Sequence, residues 1–222
     1  MQIKDLVPEL PVHPTKKPVK RALTSIKKIV VHTTDWVVTP QELATYDINP
    51  NHISSTGCPG ITYHYLIERN GQVDRTAPAE SITWHAGNHN NSSLAVALIY
   101  KTDTQYELGK KSVPNVSETP TVEQMDKLLM LVTILCFQLG VSPVDVVGHR
   151  ELEGTGFNMV NGKKVLRKSC PGRWVNLDQF RRDVASKMQS TMEVLGFYNS
   201  KVDGLWGPIS EKAFLALKLA LG

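Results

Sequence analysis

Cysteine is scarce in this chain: three residues, Cys58, Cys136 and Cys170, among 222. So few in a chain this long exclude a disulfide framework as the organising device. Long apolar runs are missing as well. None reaches the roughly 18 residues of a membrane span, so no membrane insertion is expected. The first ten residues lack a basic stretch followed by an apolar one; no secretory signal is visible, and synthesis in the cytosol as a soluble protein is expected. Aromatics make up only 7% of the chain and no Lys/Arg run is interleaved with them, so a nucleic-acid face is not expected.

What is present suits a soluble globular protein: 41% apolar residues, 21% charged and a formal net charge of +4. The length allows one sizeable domain plus a small one, and a monomer is expected. A mildly positive balance would suit an anionic envelope or cell wall.

Residues 1–25 carry Pro8, Pro11, Pro14 and Pro18 with scattered lysines, and read as an extended arm on the domain surface. Residues 26–32 form a short β-branched run that ends in His32, a strand with the histidine at its exit. Residues 35–60 read as a long loop with at most a helical turn, a length usually tied to function. Residues 61–67 make a second strand, and Asn70-Gly71 turns it back into a hairpin partner at 72–75. A loop holding Trp84-His85-Ala86-Gly87 precedes a continuous apolar strand at 94–100, and 101–120 is a polar surface loop.

Residues 121–140 are the clearest helix. Thr121 and Gln124 form a capping box, and Gly140 ends it. Val122, Met125, Leu128, Leu129, Val132, Leu135, Cys136 and Leu139 supply its apolar face. Cys136 is most simply a buried apolar residue, and Cys58 lies in a loop without an obvious partner. A short strand at 144–147 delivers His149. Asn161-Gly162, flanked by 157–160 and 164–166, predicts a projecting hairpin, and a helix begins at Leu177. From about residue 185 the character changes to two helical stretches around an aromatic turn, the second with Ser210 as N-cap. The fold class is α/β, a central mixed β-sheet flanked by helices, plus a small C-terminal all-α module. The expected divisions are an arm at 1–25, a catalytic domain at 26–183 and a helical module at 184–222.

His32, His149 and Cys170 together supply two imidazoles and a thiol, the donor set of a three-ligand metal site with one open position. Zn2+ there would lower the pKa of bound water from about 15.7 towards about 7. By spacing alone the three ligands are far apart, and two strand-capping histidines with a loop thiol would look the same.

Five motifs occur in order: Val30-Val31-His32-Thr33-Thr34, the 61–67 strand with Tyr63-His64, Trp84-His85-Ala86-Gly87, Val147-Gly148-His149-Arg150, and Lys168-Ser169-Cys170-Pro171-Gly172. Over about residues 26–182 they resemble the zinc-dependent N-acetylmuramoyl-L-alanine amidases of type 2, which share their fold with peptidoglycan recognition proteins and include phage endolysins. The resemblance implies that His32, His149 and Cys170 bind zinc, and that Tyr63 and Lys168 assist hydrolysis. It further implies an enzyme that cleaves between the lactyl group of N-acetylmuramic acid and L-alanine in peptidoglycan, and the lack of a visible secretory signal favours a phage endolysin. Such an enzyme would reach the wall after membrane permeabilisation. Binding-only relatives often lose the cysteine, which this chain keeps; recognition of muramyl peptides without cleavage is the alternative, and a cysteine peptidase using Cys170 and His149 is a third class.

Negative charge develops on the amide oxygen during attack, and an ammonium or phenol aimed there stabilises it. A solvated loop lysine and a core-packed tyrosine are the plainer readings of Lys168 and Tyr63. Trp84 and His85 read as substrate contacts, with a surface histidine as the simpler case for His85. His64, alternating with Tyr63 along a strand, is expected to face the other side as a hydrogen-bonded core histidine. The chain departs from the family at Ala95 and Ala97, where relatives usually carry Gly and Glu or Cys. That strand reads as structural, so the change is expected to affect groove detail rather than the metal site. The hairpin between His149 and Cys170 is insertion-like and a place for specificity to vary. Residues 184–222, with Leu195-Gly196-Phe197-Tyr198 and 202–208, resemble a type 1 peptidoglycan-binding module; a helical hairpin merely docked on the main domain is the alternative.

Overall fold

The computed structural model describes residues 1–111 and 118–221. Six strands form a mixed sheet: β1 (Ile3–Asp5), β2 (Lys28–Thr33), β3 (Tyr65–Ile67), β4 (Val73–Arg75), β5 (Ser93–Leu98) and β6 (Val146–Gly148). Their spatial order is β1-β4-β3-β5-β2-β6. Only the β3–β4 hairpin is antiparallel; every other neighbouring pair is parallel. The 61–67 strand expected from its aromatic and β-branched content is regular only in its last three residues. The hairpin between the ligand motifs is as expected: β7 (Phe157–Val160) and β8 (Lys163–Leu166) pair antiparallel as a separate two-stranded sheet. Asn161 and Gly162 both take positive φ, 49° and 74°, as a two-residue turn of this kind requires.

The N-terminal segment is more than a surface arm. Ile3–Asp5 extends the sheet, Leu6 and Leu10 are buried, and so is Arg21. The Arg21 guanidinium donates to the carbonyls of Asn90 and Ser93, each at 2.6 Å, and of Ala79 at 3.1 Å. Burial lowers its pKa to about 10, so the cation persists at neutral pH. The long loop also holds an unexpected helix, α1 (Pro40–Ile48), started by a capping box between Thr39 and Glu42 with proline at its first position. A four-residue helix, α2 (Thr104–Glu107), interrupts the expected polar loop, of which residues 112–117 lie outside the described residues.

Alternation along the central strands divides the core in two. Ile29, Val31, Leu94, Val96 and Leu98 pack on one face with α3 (Val122–Leu139) and α4 (Leu177–Val194). Leu66, Ala97 and Ile99 point the other way, towards Leu43 and Ala44 of α1 and towards Leu6 and Leu10. The cap of α3 is the expected one, and Gly140 ends it at φ 66°. Its apolar face is not quite as expected. Val122 is 82% exposed, because 3.6 residues per turn put it about 140° round the helix from Leu135. Gln124 is buried instead, donating from Nε2 to the carbonyls of Ile67 and Ile99 at 3.0 Å each. It ties the helix to two adjacent strand ends.

α4 runs unbroken through the expected boundary at 183/184. Val184, Met188 and Met192 lie in the same core as Leu128, Val132 and Leu135 of α3, and so do Tyr198, Phe214 and Leu217. α5 (Pro208–Leu221) starts at Pro208, with Ser210 buried in its first turn rather than capping it. The aromatic turn between α4 and α5 is arranged around Gln189, which is fully buried. Its Oε1 accepts from the N–H groups of Asp203 and Gly204, and its Nε2 lies about 3 Å from Tyr198 Oη, the Leu205 carbonyl and Ser210 Oγ.

A chain ending at Asp183 would lose the large buried apolar side chains of Val184, Met188, Met192, Tyr198, Phe214 and Leu217, besides smaller ones such as Ala213, at about 1.5–3 kcal/mol for each large one. That is on the scale of the whole stability of a domain, about 5–15 kcal/mol. We therefore expect the truncated chain to show no cooperative thermal transition by circular dichroism. A transition within a few degrees of that of the full chain would show that the tail folds apart from the rest.

Candidate metal centre

His32 lies near the end of β2, and His149 directly follows β6. These strands are parallel neighbours with Val31 opposite Gly148. The next residue of each therefore emerges beside the other at the carboxyl edge of the sheet, where open α/β sheets place their ligands. The two imidazole centroids are 4.9 Å apart.

Cys170 arrives from the loop after the β7–β8 hairpin, and Arg150 fastens that loop. The Arg150 amide donates to the Cys170 carbonyl at 2.9 Å. Its guanidinium donates to the carbonyls of Gly172 at 2.5 Å and Val175 at 2.9 Å. The Tyr100 hydroxyl donates to the Pro171 carbonyl. On the hairpin side the backbone of Gly156 passes directly against His149: a Cβ there would stand 1.9 Å from the His149 carbonyl oxygen. Only glycine fits.

The outcome is a cluster in which one donor atom each from His32, His149 and Cys170 lies within 4.8 Å of the others. His32 Nδ1 is 3.5 Å from Cys170 Sγ. A tetrahedron with Zn–N of about 2.05 Å and Zn–S of about 2.3 Å has an N···S edge of about 3.5 Å. Two imidazole nitrogens and a sulfur are also donors that zinc accepts readily. The residues fit the ion.

Burial dominates the electrostatics. It pushes His32 well below the usual imidazole range and His149 down to about 4, with the Lys168 charge acting in the same direction on both. It raises the Cys170 thiol to about 12, even though the Thr33 amide donates to Sγ at 3.3 Å. With no cation present, neutral imidazoles therefore face a protonated thiol. A thiol held so high is a poor nucleophile by itself, whereas a bound cation would deprotonate it.

Tyr63 is brought to the cluster, its ring 5.1 Å from that of His32. Burial pushes its phenol well above the usual range, so the hydroxyl keeps its proton. Lys168 is exposed, and its amide donates to the Gly156 carbonyl at 3.1 Å. Trp84 is not in the cluster. It is half-buried under the Lys16 ammonium, 5.6 Å from its ring centre. It lines an apolar cavity of about 220 Å3 with Leu10, Pro18, Ile61 and Ile82, a cavity that the three donor residues do not line.

His85 corrects its sequence reading. Rather than facing a groove beside Trp84, it is buried behind His32, with Nδ1 3.0 Å from His32 Nε2. Packing under His32 leaves its ring off the surface. His64 is a hydrogen-bonded core histidine as expected. The Ala95 amide donates to its Nδ1 at 3.0 Å, its Nε2 lies 2.9 Å from the Ser81 carbonyl and 3.1 Å from the Arg21 guanidinium, and burial, with the Arg21 charge, lowers its pKa to about 3. The alanines of β5 also revise the sequence reading. Ala97 pairs with His32 and Ala95 with Val30, so the strand is structural but the departure from the family lies beside a donor residue. Sequence reasoning missed Arg150 and Gly156 as residues that build the site. Arg150 belongs to the His149 motif and Gly156 directly precedes the predicted hairpin, but their contacts are made about 20 residues along the chain or against backbone.

Fold and site together define a mixed α/β protein with a His2Cys centre at one sheet edge. The N-acetylmuramoyl-L-alanine amidase family matches residues 22–173, more than half of the chain, and the protein belongs to that family. No curated protein matches it significantly. Among solved structures it is similar to N-acetylmuramoyl-L-alanine amidase LysC from Clostridium intestinale URNW, with 19% identity and a TM-score of 0.54 over 82% of this chain and 95% of that one. It is similar to the Ph2119 endolysin from Thermus scotoductus MAT2119 bacteriophage Ph2119, with 20% identity and a TM-score of 0.53 over 82% and 99%. Drosophila peptidoglycan recognition protein SD matches at 18% identity and a TM-score of 0.56 over 79% and 90%. At such identities the likeness is one of fold.

Two outcomes follow from this geometry. Replacing Arg150 by alanine removes the donors to three loop carbonyls, those of Ser169, Gly172 and Val175, at about 1.5–3 kcal/mol per charged hydrogen bond. Its melting temperature should fall by several degrees and its affinity for added zinc at least tenfold; unchanged affinity would refute the clamp. In metal-free protein His32, His64, His85 and His149 are all held neutral by burial. The unfolded state binds more protons as pH falls from about 6.5 to 4, so stability is lost across that window. Asp47 and Asp74, raised to about 6 and about 7, and Glu107, also raised by burial, act in the opposite sense but are fewer than the four histidines. Calorimetry should show a melting temperature that drops between pH 6.5 and 4, and a flat or rising profile would contradict it.

Proposed function

We propose that this protein is a peptidoglycan hydrolase that cleaves the amide between the lactyl group of N-acetylmuramic acid and L-alanine, by zinc-activated water, as a phage endolysin. The observation that carries this reading is the convergence of His32, His149 and Cys170 within 4.8 Å, in a chain of the amidase family. Those three residues would hold the metal and leave one position open. When bound, zinc supplies a nucleophile from water near neutral pH and polarises the carbonyl under attack.

The remaining roles belong to the chain itself. Tyr63 keeps its phenolic proton and stands against His32, so it can donate to the oxygen on which charge develops. Lys168 is tethered two residues from Cys170 and brings an ammonium to the same region; donors of this kind are most effective when aimed at the transition state. Trp84, in the neighbouring apolar cavity rather than at the donor cluster, would contact a part of the substrate away from the scissile amide. The β7–β8 hairpin, with Met159 and Val160 each 50% exposed, stands beside the site and is where wall specificity would vary. Residues 184–222 would hold the enzyme on the wall while sharing its core. The protein would act as a monomer and reach its substrate after membrane permeabilisation. Among the described residues no helix is long and apolar enough to cross a membrane.

The likeness to a peptidoglycan recognition protein favours a second reading, binding of muramyl peptides without cleavage. A complete donor set supports hydrolysis over it. The high thiol pKa of Cys170 argues against a cysteine peptidase.

Zinc analysis paired with wall digestion tests the proposal. Wild type should bind about one zinc and release free L-alanine N-termini, and His149→Ala should do neither. If the variant keeps metal and activity, the assignment of the centre fails; zinc bound without cleavage by wild type would select the binding reading. Tyr63→Phe and Lys168→Ala should retain zinc while kcat falls about 10^2–10^3-fold, the usual cost of a lost oxyanion donor. A loss confined to KM would place both residues in substrate binding instead.

A further inference from the structure

We infer that His85 and Ser93 are positioning residues: a directed hydrogen-bond chain that fixes His32 in the tautomer whose Nδ1 is free to take a metal ion. The functional meaning rests on the proposed zinc centre; the tautomer is set by the chain's own groups.

The direction is imposed from the far end. The carbonyl oxygen of His89 can only accept, and Ser93 Oγ lies 2.7 Å from it. Ser93 has one hydroxyl proton, and it belongs on that contact; turned elsewhere, it would leave two oxygens facing each other at 2.7 Å with no proton between them. Ser93 Oγ therefore presents a lone pair to His85 Nε2, 3.2 Å away, and that nitrogen must be N–H. A neutral imidazole carries one proton, so His85 Nδ1 is bare. It faces His32 Nε2 at 3.0 Å, which must in turn be N–H. His32 Nδ1 is then left as a lone pair, and it is the nitrogen that points at Cys170 Sγ.

Each member is walled off from water. Ser93 is fully buried, His32 is 1% exposed and His85 6%. The backbone supports both ends. Ser93 opens β5 opposite Lys28 of β2, and its carbonyl accepts from Arg21 at 2.6 Å; the His89 amide donates to the Ala86 carbonyl at 3.1 Å. Ala97, in register with His32, presents only a methyl group on that side. The orientation of the His32 ring is thus left to His85. A ligating histidine is generally held by a partner on its second nitrogen, and loss of such a partner costs about 10–100-fold in metal affinity. Here the partner is itself a histidine, and the serine determines which way round its proton sits.

The test uses the full chain, metal-free, with nitrogen-labelled histidine rings and two-bond proton–nitrogen spectra. His32 and His85 should both appear as the Nε2–H tautomer. In Ser93→Ala, His85 loses the Ser93 hydroxyl, the group that directs its Nε2 proton, and keeps only the Ser93 backbone beside it; the spectra should show mixed tautomers at both rings, with zinc affinity in chelator competition reduced tenfold or more. His85→Ala should cost at least as much. An Nδ1–H tautomer at His32 in the wild type overturns the inference, and so does a Ser93→Ala variant with unchanged spectra and unchanged affinity. A wild type that shows the Nε2–H pair yet binds no zinc would refute the zinc reading and leave the directed chain standing.

Discussion

The site depends on one pairing, the parallel contact between β2 and β6. With Val31 opposite Gly148, two histidines more than a hundred residues apart leave the sheet at the same height. A slip of one residue would turn either histidine to the other face of the sheet. The register is protected by alternation: Ile29 and Val31 are committed to the core beneath α3 and α4, which leaves His32 on the opposite face. The apolar residues of β2 therefore do more than fill volume. They determine the direction of the donor.

Cys170 is held by a different kind of interaction. No strand delivers it; it sits in a loop whose carbonyls are collected by the Arg150 guanidinium and the Tyr100 hydroxyl. Arg150 follows His149 directly, so one short segment supplies a donor and also anchors the loop carrying another. Gly156 completes this compact arrangement, because the hairpin must return against the His149 backbone before it can release Cys170. The hairpin itself can vary in length and side chains as long as that return is kept. Its freedom and the rigidity of the centre are compatible for that reason.

The tail shows how local and tertiary signals can diverge. A change of composition near residue 185 reads as a boundary, and the aromatic turn after it resembles a separate module. Yet the apolar spacing of α4 is continuous from Phe180 through Val184 to Met188 and Met192. Those side chains complete the core over α3, and Gln189 folds the following turn back onto the same helix. Family matching ends at residue 173, but the core does not.

By itself the sequence determined the elements whose signals are local. These are the capped helix at α3, the Asn-Gly turns, the β-branched strands and the five ordered motifs that brought His32, His149 and Cys170 together as candidates. Such features arise from propensity, capping and spacing along a single stretch of chain. Tertiary structure alone decided what depends on partners distant in sequence. It put His85 behind His32 instead of in a groove, placed Ala97 beside a donor, turned the N-terminal arm into a strand and ran α4 across a supposed boundary. A histidine in a loop carries the same letters whether it faces substrate or supports a ligand. Which it does is determined by the neighbours that bury it, and those neighbours, Ser93 and His32, belong to other strands.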